Sequence, residues 1–346
     1  MSAKGRVADD LRTYRHYTGE SFQYARSGVR LDRVAPLPAA DRAHARLESR
    51  IFTALADIRL WTKHPFAITR VRPQPDGSVT IHLDVYAAAF DERYDAAERA
   101  FSCLAPFAEA DGSFVTGIPG LRVREIHTTE LVLTLAGETA TIRLRCAQGT
   151  RWQPILAATR IQMEDASMQP LWDEPRVADD ERSYMRSEAS VHGHLDWLGS
   201  ALLRRARLFQ SATNAFYLKG WTMDRKLKIE FVSAVEAGAY HQEFIDRLTD
   251  RTWGLPLTVH RHECYCRASR SAPSMCWIEL TQPGRDEPVL QLRFGHESPR
   301  YYSDLRPQFR ALGSGTRWLN RALPPTAQVP QPPLCYHANE AHRLVE

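Results

Sequence analysis

The sequence predicts an α+β fold in which one α-β-β-α-β-β-β module occurs twice in tandem, with a short helical N-terminal arm and an irregular C-terminal extension. Three observations predict it. Apolar residues switch along the chain between helical and alternating spacing, the two periods that separate helices from half-buried strands. The order of those segments after residue 192 repeats the order after residue 36. The closing strands also match at an offset of 148: Ile142 with Leu290, Leu144 with Leu292, Arg145 with Arg293, Cys146 with Phe294. Few identities survive, so the repeat is one of pattern.

Residues 6–16 and 20–30 predict two short helices split at Thr18-Gly19, an arm over 1–35 that Pro36-Leu-Pro38 ends. The first module, 36–160, opens with a helix over 39–59, where Leu47, Ile51, Leu55 and Ile58 share a face. Phe66, Ile68 and Val71, the turn Pro73-Gln-Pro-Asp-Gly77, and Val79, Ile81, Leu83 and Val85 in alternation predict a β-hairpin. Asp91 is expected to cap a helix over 92–107. Strands over 121–127, 130–136 and 140–146 close the module, the last two joined through Gly137.

Residues 161–191 read as an acidic linker, with eight Asp and Glu against three Arg between 164 and 188. The second module, 192–296, starts with a helix over 194–212 presenting Leu195, Leu198, Leu202 and Phe209. A hairpin turns at Met223-Asp-Arg225 into Leu227, Ile229 and Phe231. A helix over 238–250 buries Tyr240, Phe244, Ile245 and Leu248, and strands over 256–266, 275–281 and 288–294 follow. Residues 297–346 form the C-terminal extension, whose stretch 322–334 holds five prolines and is expected to be extended.

At 346 residues, 43% hydrophobic and 25% charged, the chain has the composition of globular proteins and can fill more than one core. Only five of the 45 basic residues are lysine, the bias that a GC-rich bacterial genome produces. The net charge of +4 is too mild to argue for nucleic acid by itself. The polar start and the lack of a long apolar run predict a cytoplasmic protein with no membrane partner. Its six cysteines are then expected as free thiols.

The phosphate-loop, dinucleotide, nucleophile-elbow and HExxH motifs are all missing, so the sequence leans away from catalysis, and no cofactor or metal is expected. His82 and Asp84 share a strand face and read as its solvent side. His260, His262, Cys264 and Cys266 alternate along one strand and are competent zinc ligands. Four such residues span about 20 Å, too far for one ion. A site would need Cys276, or Cys335, His337 and His342 from the tail, so a half-buried strand is the preferred reading. The arm carries Arg12, Arg15, Arg26 and Arg30 but lacks the apolar positions with which a helix-turn-helix packs its two helices.

The strongest functional signal is 299–321, where five arginines stand against one Asp among interleaved aromatic residues. Arginine for phosphates beside rings for bases is the combination that single-stranded nucleic-acid sites use. The candidate residues are Arg300, Tyr301, Tyr302, Arg306, Arg310, Arg317, Trp318 and Arg321. The expected function is therefore a non-enzymatic macromolecular interaction protein, with nucleic acid bound at this surface. The alternatives are a protein-binding or self-assembling scaffold working through exposed strand edges, and an enzyme of unknown reaction type.

Overall fold

Helix begins at residue 3, and helices and strands then alternate through most of the chain, which a computed structural model presents as a mixed α+β protein. The structure describes residues 3–27, 29–30, 33–34, 37–58, 63–89, 92–109, 114–147, 149–234, 241–263, 274–297 and 305–325. The chain divides into two units, one of residues 1–60 with 64–211, the other of 61–63 with 212–346. Among the described residues no helix is long and apolar enough to cross a membrane.

In the first unit the arm folds as α1 (Ala3–Thr18) and α2 (Phe22–Ser27). They part at Gly19, where φ is +77° and an added Cβ would lie 2.5 Å from the Thr69 carbonyl oxygen. Both the dihedral and the close approach require glycine there. A two-residue pair, β1 (Val29–Arg30) with β2 (Arg33–Val34), follows. Asp41 then starts α3 (Arg42–Asp57), its carboxylate accepting the N–H groups of Ala43 and His44 at 3.0 Å each. Leu47, Ile51 and Leu55 are buried, as their spacing predicts, and Phe52 joins them.

The hairpin β3 (Ile68–Pro73) and β4 (Val79–Leu83) lies where alternation predicts it. An unforeseen hairpin, β5 (Tyr86–Ala89) with β6 (Glu92–Asp95), occupies the start expected for the next helix. Helix α4 (Ala96–Leu104) begins only after Asp95, which receives the N–H groups of Ala97 and Glu98; Asp91 lies outside the described residues. After β7 (Phe107–Glu109) and β8 (Val115–Thr116) come β9 (Leu121–Ile126), β10 (Glu130–Leu135) and β11 (Thr141–Arg145). The five-stranded sheet runs β3-β4-β11-β10-β9, with β4 and β11 parallel and the other neighbours antiparallel.

The segment expected as a linker is folded into this unit. Helix α5 (Trp152–Asp165), strand β12 (Met168–Pro170) and helix α6 (Asp179–His192) occupy it, and β12 completes a second sheet ordered β12-β7-β8. Trp172 is buried edge-on to Phe101 and Phe107, with ring centroids 5.3 and 4.8 Å away. Glu181, one of the acids of the expected linker, is buried and receives both terminal nitrogens of Arg122, at 2.8 and 2.7 Å, and the Gly120 N–H at 2.7 Å. Acidic composition predicts a linker, but Trp172 is held by Phe101 and Phe107 and Glu181 by Arg122 and Gly120.

Helix α7 (Asp196–Leu203), which the sequence placed at the head of the second module, packs against α3 within the first unit, and α8 (Leu208–Ser211) ends that unit. A Cβ at Gly199 would come within 2.2 Å of the Ser49 hydroxyl, so the two helices meet backbone to side chain. Beside this contact lies a fully buried ion pair. Arg204 donates to both Glu48 oxygens, at 2.8 and 2.6 Å, and to the carbonyls of Pro38 and Gly77, at 3.1 and 2.7 Å. Ser200 donates to Glu48 at 2.7 Å.

The second unit is built on β13 (Tyr217–Met223), β14 (Lys226–Ala234), α9 (His241–Leu248), β15 (Thr258–Glu263), β16 (Ser274–Thr281) and β17 (Pro288–Glu297). Its sheet runs β13-β14-β17-β16-β15, with β14 and β17 parallel. Asp224 and Arg225, both at positive φ, make the two-residue turn of its first hairpin. Leu227, Ile229 and Phe231, with Leu290, Leu292 and Phe294, line the core side, and Phe244 of α9 meets Phe231 edge-on at 5.0 Å. The C-terminal extension is not irregular where it is described. It forms α10 (Leu305–Ala311) and α11 (Thr316–Ala322), whose Leu305, Phe309, Leu319 and Ala322 cluster with Phe216 and Ala234. Most of the proline-rich tail lies outside the described residues.

His82, read from sequence as solvent-facing, is 6% exposed. Burial and the nearby guanidinium groups of Arg70, Arg72 and Arg145 push its pKa down to about 3. The unfolded chain therefore binds a proton that the folded chain refuses between about 6.5 and about 3. Stability is expected to fall as pH drops through that window, by at most about 1.4 kcal/mol per pH unit from this group, and to fall less steeply in His82→Gln. Urea unfolding at a series of pH values measures the difference. Glu48→Ala leaves Arg204 buried without its carboxylate and is expected to cost about 3–5 kcal/mol in the same assay.

Candidate nucleic-acid interface

The sequence-predicted residues divide into three sets. Arg300, Tyr301 and Tyr302 lie outside the described residues. Arg306, Trp318 and Arg321 are engaged in the fold. Arg306 donates to the carbonyls of Leu319 and Leu323 and to the Asn320 side chain, so it ties off the last turn of α11. Trp318 packs on Phe309 with ring centroids 5.0 Å apart, and Arg321 donates to the Thr213 carbonyl at 2.8 Å. Arg310 and Arg317 are exposed. Among the described residues, the α10-α11 pair therefore offers two exposed cations without a partner and no exposed ring for stacking.

A different surface of the same unit brings rings and cations together. In a strand, every second side chain shares a face. Opposite the core side of the second sheet, the register aligns Trp221, Lys228, Gln291, Glu279 and Arg261 in one row across all five strands. The next row is Lys219, Glu230, Arg293, Trp277 and Glu263. Trp277 is 41% exposed. The Arg293 guanidinium sits 5.3 Å from the centroids of both Trp221 and Trp277, and the Lys219 ammonium lies 5.6 Å from Trp221.

Side-chain hydrogen bonds hold this array. Arg293 Nε donates to Gln291 at 2.9 Å, Gln291 donates to Glu279 at 3.0 Å, and Lys226 donates to Glu279 at 2.8 Å. Burial works to raise the Glu279 pKa, but these bonds and nearby Arg261 hold it below the usual value, so it stays ionised. Lys228 donates to Asp224 at 2.8 Å, which lowers the pKa of that carboxyl. The terminal nitrogens of Arg293 find no acceptor among the described residues. The arrangement can stack a planar group on Trp277 and donate hydrogen bonds beside it. Sequence inspection missed it, although a tryptophan between the inward Cys276 and Ile278 was a legible sign of an aromatic at an outward position.

Comparison with protein families, with curated proteins and with solved structures finds no match to this chain. The reading of the site rests on its own geometry.

Of the His/Cys strand, Arg261 and Glu263 join this surface. His262 points inward, its ring 5.6 Å from that of buried His241, while His260 is exposed at a β-bulge. Among the described residues no three His, Cys, Asp or Glu side chains gather as a metal-ion set; Cys264, Cys266, Cys335, His337 and His342 lie outside them.

The structural and surface arginines separate experimentally. Arg306→Ala is expected to destabilise the chain by about 1–3 kcal/mol through the carbonyls it abandons. Arg310→Ala is expected to stay within about 0.5 kcal/mol of the parent. Thermal unfolding monitored by circular dichroism compares them.

Proposed function

We propose that the chain is a non-enzymatic binder of single-stranded nucleic acid, and that the open side of its second sheet is the platform. The observation that carries this reading is the Trp221-Arg293-Trp277 array, flanked by half-buried Lys219 and by exposed Arg261, which pairs with Glu263, while Lys228 is buried within the row and pairs with Asp224. Every base has a face that can stack on an exposed tryptophan, and the cations beside it suit the phosphates that follow. Arg310 and Arg317 add positive charge on the same unit, so the C-terminal stretch serves as an accessory to the sheet.

The tandem-duplication reading supports a division of labour. Both sheets share one strand order and one parallel pair, and Val79 opposite Ile142 recurs 148 residues later as Leu227 opposite Leu290. The hydroxyl of Thr134 reaches the carbonyls of Leu135, Glu138 and Ala140, and that of Thr281 reaches those of Gln282, Arg285 and Glu287, each 147 residues on. Gly137 and Gly284, both at positive φ, stand at the same step. Such detail favours two copies of one module, of which the second carries the tryptophans.

A second reading, protein binding at a strand edge, has one observation in its favour. A cavity of about 510 Å³ lies beside the edge strand β9, lined by Val123, Ile126, Leu156 and Trp172. A cross-linking survey that captured only proteins, with no nucleic-acid affinity, would favour it.

Fluorescence anisotropy with a labelled single-stranded oligonucleotide at about 50 mM salt tests the first reading. Trp277→Ala is expected to weaken binding roughly tenfold, the scale of one lost base stack. Absence of binding, or binding that Trp277→Ala leaves unchanged, contradicts it.

A further inference from the structure

The first sheet carries a row of donor side chains in which one buried nitrogen finds no acceptor among the described residues. Its register aligns Arg70, His82 and Arg145 across β3, β4 and β11. Arg70 approaches His82 Nδ1 at 3.1 Å. A guanidinium has no lone pair to offer, so Nδ1 accepts and the imidazole proton sits on Nε2. That nitrogen is buried and has no partner among the described residues, in a residue that is itself only 6% exposed. A buried donor without an acceptor is costly, and native structures resolve it with a ligand or water.

The neighbouring carboxylates lie closer to other arginines. Glu20 receives both Arg72 nitrogens, at 2.8 and 3.0 Å, and stands 4.0 Å from Arg70 Nε. Glu130 is the cross-strand neighbour of Arg145, yet it lies 3.9 Å from Arg143, which also bonds Ser78 at 2.6 Å and approaches Asp76 at 3.4 Å. Arg145 is exposed and has no ion-pair partner among the described residues. Arg70 is partly exposed.

We infer that Arg70, His82 and Arg145 form a subsite for a phosphate group. Donors on adjacent strands, with the charge of Arg70 behind the imidazole, suit a tetrahedral oxyanion, which presents oxygens in several directions, better than a planar carboxylate. One oxygen takes the His82 Nε2 proton in a hydrogen bond and another takes exposed Arg145, which moves to admit the ligand, while Arg70 stays on Nδ1, holds the tautomer and adds positive charge. The same chemistry fits free phosphate and the phosphodiester of a nucleic acid. The site lies in the first unit and does not depend on the tryptophan platform.

Nuclear magnetic resonance of the full chain, with the His82 imidazole assigned from the signal that His82→Gln removes, follows two titrations. One uses inorganic phosphate and the other a single-stranded oligonucleotide. The bound anion favours imidazolium against the guanidinium groups of Arg70, Arg72 and Arg145, so the His82 pKa is expected to rise from about 3. Arg145→Ala, a change at an exposed position, is expected to weaken the effect at least tenfold while the spectrum of the fold persists. A response to phosphate assigns the site to free anions, and a response to the oligonucleotide alone assigns it to a nucleic-acid backbone; both support the subsite. A His82 signal that neither titrant moves, or a response equal in Arg145→Ala, overturns it. Trp277→Ala is expected to leave the phosphate response intact, so failure of the platform reading and failure of this one are distinct results.

Discussion

The first unit is tied together by the buried pair of Glu48 and Arg204. Desolvating two charges is expensive, and a buried pair persists only when its remaining hydrogen-bonding capacity is filled. Here the pair is filled by Ser200 and by the carbonyls of Pro38 and Gly77. One guanidinium therefore fixes the start of α3, the turn of the first hairpin and the end of α7 relative to one another. The close approach of Gly199 to Ser49 brings α3 and α7 near enough for it. The sheet bearing Arg70, His82 and Arg145 is positioned by the same hairpin.

Two sheets of one topology present different chemistry on their polar sides. The first offers Arg70, Arg72, Arg143 and Arg145 around a neutral histidine and has no tryptophan among them. The second offers two tryptophans with an arginine between them. Outward positions can differ so widely because inward positions alone are held by the core. The inward residues keep their apolar character: Val79 and Leu227, Ile81 and Ile229, Leu144 and Leu292 are all buried.

Much of this fold was legible in the sequence because its elements follow simple periods. Helix α3 and the strands of both five-stranded sheets are visible in the spacing of Leu, Ile and Val. What was missed obeys other rules. Helix α5 buries Trp152, Ile155, Leu156 and Thr159 at helical spacing, but Pro154 reads as a breaker; in a first turn it is tolerated, since those N–H groups have no helical partner. Helix α6 is anchored by Glu181, an acid whose burial only its meeting with Arg122 explains. The tryptophan platform joins residues 221, 277 and 293, which only the strand order makes neighbours. Conversely, Arg306 and Trp318 matched the composition of a binding surface and serve packing instead, because composition does not tell which side of a helix faces the core.

The most direct test of the central claim is ultraviolet cross-linking of a single-stranded oligonucleotide to the full chain, followed by peptide mapping. The account predicts adducts on the peptides that carry Trp221 and Trp277, with loss of the latter adduct in Trp277→Ala. Adducts confined to other peptides, or none at all under conditions where the oligonucleotide binds, would contradict it.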